Sequence, residues 1–306
     1  MKTTPLPSTY HKKENLMEKF AIVMDTASNI DIELAEKYGI TLIPYQVQLD
    51  DQHYRDQIDI SSREFYQLIG QHDTVLSGIP SPKTVDSTIR ELVDKGYKQI
   101  LILTGSIRLT GMYNLCQVIC ADFIDEGIQI EVIDSGQIGI VIGLMGIYAS
   151  LLREKDIPFV DVVNRLRANI DDSGRVYLLT RTLEYVIKGG RLGKMKGAIG
   201  TLLNIQPTLT VEDGQLSVAS KARGANKSRL ALIQACREQL DTSRPYFFGA
   251  FAADNDSELN LLLKDMSDIV DKAELVITRE LTTVLGVHGG PKCLGVGFFY
   301  VDDLNL

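Results

Sequence analysis

The sequence predicts an α/β protein of two domains, with a largely parallel sheet in the first half and a mixed sheet with helices in the second. Short β-rich runs alternate with amphipathic stretches through the first half, which is the pattern of βαβ units. From Thr208 the pattern changes to two short runs joined by Asp213-Gly214, a hairpin signal. A chain of 306 residues, 44% hydrophobic and 24% charged, is long enough for two ordinary cores.

Residues 1–18 contain two early prolines and His11-Lys-Lys-Glu-Asn. They have little to bury and read as a disordered leader. The first domain is expected over 19–172, with strands at Ala21-Ile-Val-Met24, Ile100-Leu-Ile-Leu103 and Ile130-Glu-Val-Ile133. Helix starts lie between them: Ser61 with Glu64 spells a capping box, and Ser81 precedes a proline at the first helical position. The uncharged run Ile138–Leu152 has 15 residues. That is short of the roughly 20 needed to cross a bilayer, so it predicts a buried helix and no stable membrane insertion. Its Gly139, Gly143 and Gly146 form a flat strip, suited either to walling a ligand tunnel or to close packing on a sheet. Met112, Met145 and Met195 could supply an adaptable lining or fill core gaps.

Asp171-Asp-Ser-Gly174 supplies turn chemistry and places the second domain at 173–306. After the hairpin, helices are expected at Asn226–Leu240 and Ser257–Asp271, and strands at Tyr246–Phe251, Leu275–Thr278 and Leu294–Val301. Together these make a mixed sheet with helices.

Composition narrows the function. A net charge of -8 argues against a nucleic-acid binder, whose affinity rests on clustered Lys and Arg. Four cysteines (Cys116, Cys120, Cys236, Cys293) show no C-x-x-C and no pairing framework, and nothing resembles a signal peptide. A reduced, cytoplasmic setting is expected. There is no H-E-x-x-H and no cysteine cluster, so no metal site is predicted.

The densest motif is Thr182–Pro207, where Gly189, Gly190, Gly193, Gly197 and Gly200 are interleaved with Arg191, Lys194 and Lys196. Glycines admit a close ligand, and the cations suit an anion. The segment is not a phosphate loop of the G-x-x-x-x-G-K-[ST] kind, because Lys188 and Met195 occupy the first-glycine and hydroxyl positions. Three hydroxyl-bearing loops in the first half, around Ser77–Ser81, Ser106–Thr110 and Ser135, are expected at the carboxyl ends of the strands, where open α/β sheets gather ligands. His288 stands apart from the exposed histidines, in an apolar run that turns into Gly-Gly-Pro. It is expected partly buried on a sharply bent backbone, as either a core histidine or a functional one.

These pieces together resemble the DegV family of bacterial fatty-acid-binding proteins, from about Phe20 to Val301. The resemblance rests on Val23-Met-Asp-Thr-Ala-Ser28, Ile133-Asp-Ser135, Leu183-Glu-Tyr with Lys188-Gly-Gly-Arg-Leu192, and His288-Gly-Gly-Pro291. It implies a three-layer α/β/α first domain and a two-layer α/β second domain, with a long-chain fatty acid at their interface and no further cofactor. Carried over by position, Ser77 and Thr110 are implied to bind the carboxylate with His288, supported by Ser106, Gly78, Gly111 and Gly289. Arg191 and Arg223 match arginines implicated in phosphoryl transfer or kinase contact. The loops Ser77-Gly-Ile-Pro-Ser81 and Ser106-Ile-Arg-Leu-Thr-Gly-Met-Tyr113 depart from the usual family text T-S-Q-P-S and S-S-x-L-S-G-T-Y, yet Ser and Thr exchange keeps a donor in each. The implied role is non-catalytic: presenting the acyl chain to a separate fatty acid kinase catalytic subunit, with transient membrane contact compatible with it. The rival reading is a serine-type esterase acting on an acyl substrate, with Ser77 or Ser106 as nucleophile and His288 as base. No G-x-S-x-G elbow supports it. A kinase of the dihydroxyacetone type would need a nucleotide lobe, and the phosphate loop is missing.

Overall fold

The computed structural model describes residues 19–168, 170, 174–195, 197 and 205–301. The expected leader, the boundary at 172, Lys196 and Gly200 lie outside the described residues. In chain order the strands of the first lobe are β1 (Ala21–Asp25), β2 (Ile40–Ile43), β3 (Gln46–Leu49), β4 (Gln52–Arg55), β5 (Val75–Gly78), β6 (Gln99–Thr104) and β7 (Gln129–Asp134). Those of the second are β8 (Gly174–Leu179), β9 (Gln206–Glu212), β10 (Gln215–Ala222), β11 (Tyr246–Ala252), β12 (Leu275–Glu280) and β13 (Leu294–Tyr300).

Three sheets result. The first is parallel throughout, in the order β2-β1-β6-β7, and the second is mixed, in the order β10-β9-β8-β13-β11-β12, where only β11 and β12 run parallel. A small antiparallel sheet, β4-β3-β5, stands beside them. The strand alternation sorts side chains into separate cores. Val23, Ile100 and Ile102 of the parallel sheet pack with Val85 and Ile89 of helix Pro82–Asp94 and with Cys116 and Phe123 of helix Met112–Asp125. Their neighbours Ile22, Met24, Leu101 and Leu103 face the opposite way, onto helix Ile140–Glu154. Phe248, Val296 and Phe298 of the mixed sheet meet helix Ala225–Gln239, while Phe247 and Phe299 face back onto the 140–154 helix.

The helix that holds the uncharged run is therefore the middle layer of five, covered by a sheet on each side. That explains why it carries no charge before Arg153: 13 of its 15 residues are buried. Each contact is small against large. A Cβ on Gly143 would lie 2.8 Å from the carbonyl of Ser28, and one on Gly146 would lie 2.1 Å from Met24 Sδ. On the other side Ile140 sits over the cross-strand pair Gly249–Gly297, where added Cβ atoms would fall 2.3 and 2.8 Å from it. The strip of Gly143 and Gly146 is thus a packing seat; only its first member, Gly139, lines the cavity described below.

Most expected elements are present, including the Ser61–Glu64 capping box and the Ser81 cap followed by Pro82. The expected helix Ser257–Asp271 is interrupted: it forms as Asp256–Asp265 and Ser267–Val270, and the break buries Met266 completely.

One short segment of the second lobe is hydrogen-bonded deep into the first. Thr282 donates its N–H to Asn29 Oδ1 at 2.9 Å and its hydroxyl to the Thr26 carbonyl at 2.9 Å. Thr283 gives its hydroxyl and N–H to the buried carboxylate of Asp56, and the N–H of Val284 reaches the same carboxylate. Asp56 thereby caps the N-terminus of helix Thr283–Gly289, where free amides and the helix dipole favour an anion.

Candidate functional site

That helix carries His288 to the seam between the lobes, where a cavity of about 110 Å³ opens. One water needs about 10–15 Å³, so the space is far larger than a solvent void. Its walls are apolar: Val176, Leu178, Leu209, Val284 and Leu285 from the second lobe face Ile79, Leu109 and Ile138 of the first. Tyr45, Ser77, Thr110, Arg191 and His288 supply most of its polar side chains.

Ser77 is not in a loop. It lies on β5, paired with the fully buried Val47 of β3, and the small sheet places it against a helix 211 residues away. Ser77 Oγ and His288 Nε2 are 2.8 Å apart. Burial first, and the Arg191 cation second, push the His288 pKa down to about 4, so the ring is neutral at pH 7. Its Nδ1 has no hydrogen-bond partner among the described residues. It faces the Cα of Gly189, where a Cβ would fall 2.1 Å from Nδ1. This is the physical reason for glycine at that point of the Gly-Gly-Arg motif: the ring edge occupies the side-chain space. The sharp bend expected at His288 falls two residues later, at Gly290, whose φ of 77° ends the helix.

The second polar pair belongs to the first lobe. Tyr45 OH and Thr110 Oγ1 are 2.5 Å apart, and Thr110 Oγ1 also accepts the N–H of Met112 at 3.3 Å. Burial raises the Tyr45 pKa well above the usual phenol range, which keeps its proton in place. Sequence reasoning passed over Tyr45. The available signal was a tyrosine directly after Pro44 at the carboxyl end of a strand of the parallel sheet.

Arg191 is exposed and lines the cavity, donating from Nη1 to the Gly189 carbonyl at 2.6 Å and from Nε to the Leu109 carbonyl at 3.5 Å. Gly78 and Gly289 line the cavity; Gly111 caps helix Met112–Asp125 and lies outside the lining. Ser106 is also outside it: its hydroxyl donates to the Gly214 carbonyl at 2.8 Å, clasping the hairpin tip of the second lobe. Ser135 turns inward to the Gln137 carbonyl. Arg223 is exposed just before helix Ala225–Gln239 and does not reach the cavity. Met112 and Met145 are core residues, and Met195 packs with Leu183, Val186 and Leu209, so none of the three lines the cavity.

Chemically, the arrangement is an apolar chamber with a few hydrogen-bonding groups in its wall. The Ser77–His288 contact has the spacing of a nucleophile and base. However, no carboxylate orients Nδ1 among the described residues, and a histidine titrating near 4 is a weak base at pH 7. No group of metal-ligating side chains occurs among the described residues either, and no helix there is long and apolar enough to cross a membrane.

Comparison with known proteins agrees with this architecture. The family model described as "uncharacterised protein, DegV family" matches residues 19–301. A DegV domain-containing protein of Clostridium acetobutylicum is 32% identical, over 92% of this chain and 99% of its own. A stearic-acid-binding protein of Eubacterium ventriosum superposes with a TM-score of 0.82 at 25% identity, covering 92% of this chain and 98% of that one. A fatty-acid-binding DegV family protein of Thermus thermophilus gives 0.85 at 24% identity, over 92% and 100%. With the family model spanning both lobes and a relative sharing nearly a third of its residues, this chain belongs to the DegV family.

Proposed function

We propose that this protein binds a long-chain fatty acid in the cavity between its lobes and presents the carboxylate to a separate fatty acid kinase. One observation carries the reading: an apolar chamber whose wall carries Ser77, Thr110, Tyr45, His288 and Arg191 as most of its polar side chains. A fatty acid makes the same two demands. At about 0.8 kcal/mol per buried CH₂, a tail of about 15 carbons offers on the order of 12 kcal/mol before ordering costs. Hydrogen bonds to a charged head add about 1.5 to 3 kcal/mol each. The tail sets affinity and the donors set orientation. The described homologues that bind fatty acids support the ligand class.

In this reading Ser77, Thr110 and His288 hold the carboxylate and the chain supplies no catalytic residue or cofactor. The kinase brings ATP; a carboxylate oxygen bonds to the γ-phosphorus as the bond to the ADP oxygen breaks. Arg191, in the cavity lining, steadies the added charge, for which a planar guanidinium fork is suited, and Arg223, on the outer surface, meets the kinase.

Native mass spectrometry of the purified protein is the direct test, with a co-purified fatty acid as the expected result. Repeated absence of lipid together with no binding of palmitate or oleate overturns the reading. Arg223→Ala is expected to bind palmitate normally and to lose acyl-phosphate formation; full product with this variant removes Arg223 from the transfer step.

A further inference from the structure

We propose that Tyr45 is a positioning and specificity residue of the head-group site, acting with Thr110 as one donor unit that favours an ionised carboxylate over an uncharged head. This rests on the fatty-acid reading above. Both residues are anchored by the fold itself. The Tyr45 N–H donates to Thr26 Oγ1 at 3.1 Å, its carbonyl accepts from the Asp56 N–H at 2.9 Å, and the residue is 5% exposed. Thr110 is tied through its N–H to the Ser106 carbonyl at 3.0 Å, and its methyl group abuts Gly105, where a Cβ would fall 3.2 Å from it.

Proton counting then decides what the pair offers. Two hydroxyls that share one hydrogen bond use one of their two protons, whichever of them donates. The other proton is left for the cavity. Thr110 Oγ1 already accepts from Met112. If it also accepts from Tyr45, both its lone pairs are filled and its own O–H can only donate. If Thr110 donates instead, the phenol O–H is the free donor. A carboxylate, which only accepts, fits either arrangement. An alcohol head brings a donor of its own and no charge to be stabilised. Hydrogen bonds in series polarise one another, so the Tyr45 contribution is largest when the terminal acceptor is charged.

The test compares Tyr45→Phe with wild type for binding palmitate and 1-hexadecanol, which share a tail and differ in the head. The phenylalanine ring keeps the apolar wall, and a melting curve checks that the fold is retained. Palmitate is expected to bind five- to tenfold more weakly and hexadecanol unchanged. Thr110→Val gives a second route: it should lower the palmitate preference, and adding Tyr45→Phe to it should cost little more. Equal weakening of both ligands, no change in either, or a double variant whose losses multiply each overturns the proposal. If wild type binds no palmitate, the fatty-acid reading fails and the proposal falls with it; if wild type binds and the preference survives Tyr45→Phe, the proposal alone fails.

Discussion

Behind each of the two polar pairs stands a buried aspartate, and the two are served very differently. Asp56 backs the helix that carries His288, and its carboxylate accepts from the Thr283 hydroxyl, the N–H groups of Thr283 and Val284, and Gln57 Nε2. Asp25 backs the turn that carries Thr26 and hence Tyr45. Its Oδ1 accepts from the Ala27 N–H at 2.9 Å, while Oδ2 is buried with no partner among the described residues. Burial raises both carboxyls; Asp25, with one amide to oppose that and the nearby Asp56 adding to it, is pushed up to about 7. The difference teaches that a buried carboxylate acts as a structural fastener when donors surround it. The half-satisfied one becomes a group that titrates near neutrality.

Breaking the fastener should have the largest effect. Asp56→Ala leaves several buried donors without an acceptor at the lobe junction, and a loss of about 4 kcal/mol in unfolding free energy is expected. Urea titration measures it. A loss below about 1 kcal/mol would mean that the lobes are held by apolar packing and that these hydrogen bonds are incidental.

The half-satisfied carboxylate predicts a concealed pH dependence. Between its unfolded pKa of 3.8 and its folded value of about 7 the native state holds an extra proton on Asp25, so stability falls as pH rises, by about 2–3 kcal/mol from pH 5 to 8. His288 runs the other way. Its folded value of about 4 lies below the unfolded 6.5, so the unfolded state takes the proton and stability falls on acidification, by about 2 kcal/mol from pH 8 to 5. In the wild type these two contributions largely offset each other. Melting temperatures of Asp25→Asn should drop toward acid, and those of His288→Gln should drop toward alkali. Variants that keep the wild-type profile would show that neither group is perturbed.

The same contrast marks what could be read from sequence. The βαβ strands, the hairpin and the buried uncharged helix were legible because each declares itself through local periodicity and turn chemistry. The small sheet β4-β3-β5 was not: β4 is Gln-His-Tyr-Arg, largely exposed, and has no apolar face to signal it. Ser77 was therefore expected in a loop, although its strand is what holds it against His288. The partners Tyr45–Thr110, Asp56–Thr283 and Ser77–His288 are separated by 65, 227 and 211 positions. Such pairings are made by topology, and no local pattern encodes them. His288 and Ser77 were picked out by their own sequence settings and took head-group roles from the family resemblance; Asp25 lay within the Val23–Ser28 motif with no role assigned, and no motif pointed at Tyr45 or Asp56.

A smaller effect separates the position of His288 from the stability of its helix. Gly189 has φ −70° and ψ −11°, a conformation alanine accepts readily, so Gly189→Ala adds no backbone strain and any fall in melting temperature comes from the displaced ring. Its Cβ would still displace the imidazole. Palmitate affinity should fall roughly tenfold, equivalent to about 1.4 kcal/mol, as read by calorimetric titration. Unchanged affinity would separate His288 from the head group.

The least disruptive change asks which hydroxyls face the ligand at all. Ser106 is 1% exposed, and its Oγ spans the lobes to the Gly214 carbonyl while also accepting the Arg108 N–H at 3.3 Å. Ser106→Ala should therefore cost about 1 kcal/mol of stability and leave the ratio of palmitate to hexadecanol affinity untouched, in contrast to Tyr45→Phe. Both stand on the same lobe, but only Tyr45 lines the cavity. If Ser106→Ala lowers the ratio as much as Tyr45→Phe does, the clasp must open when the ligand binds, and the seam between the lobes rather than the cavity wall sets head-group preference.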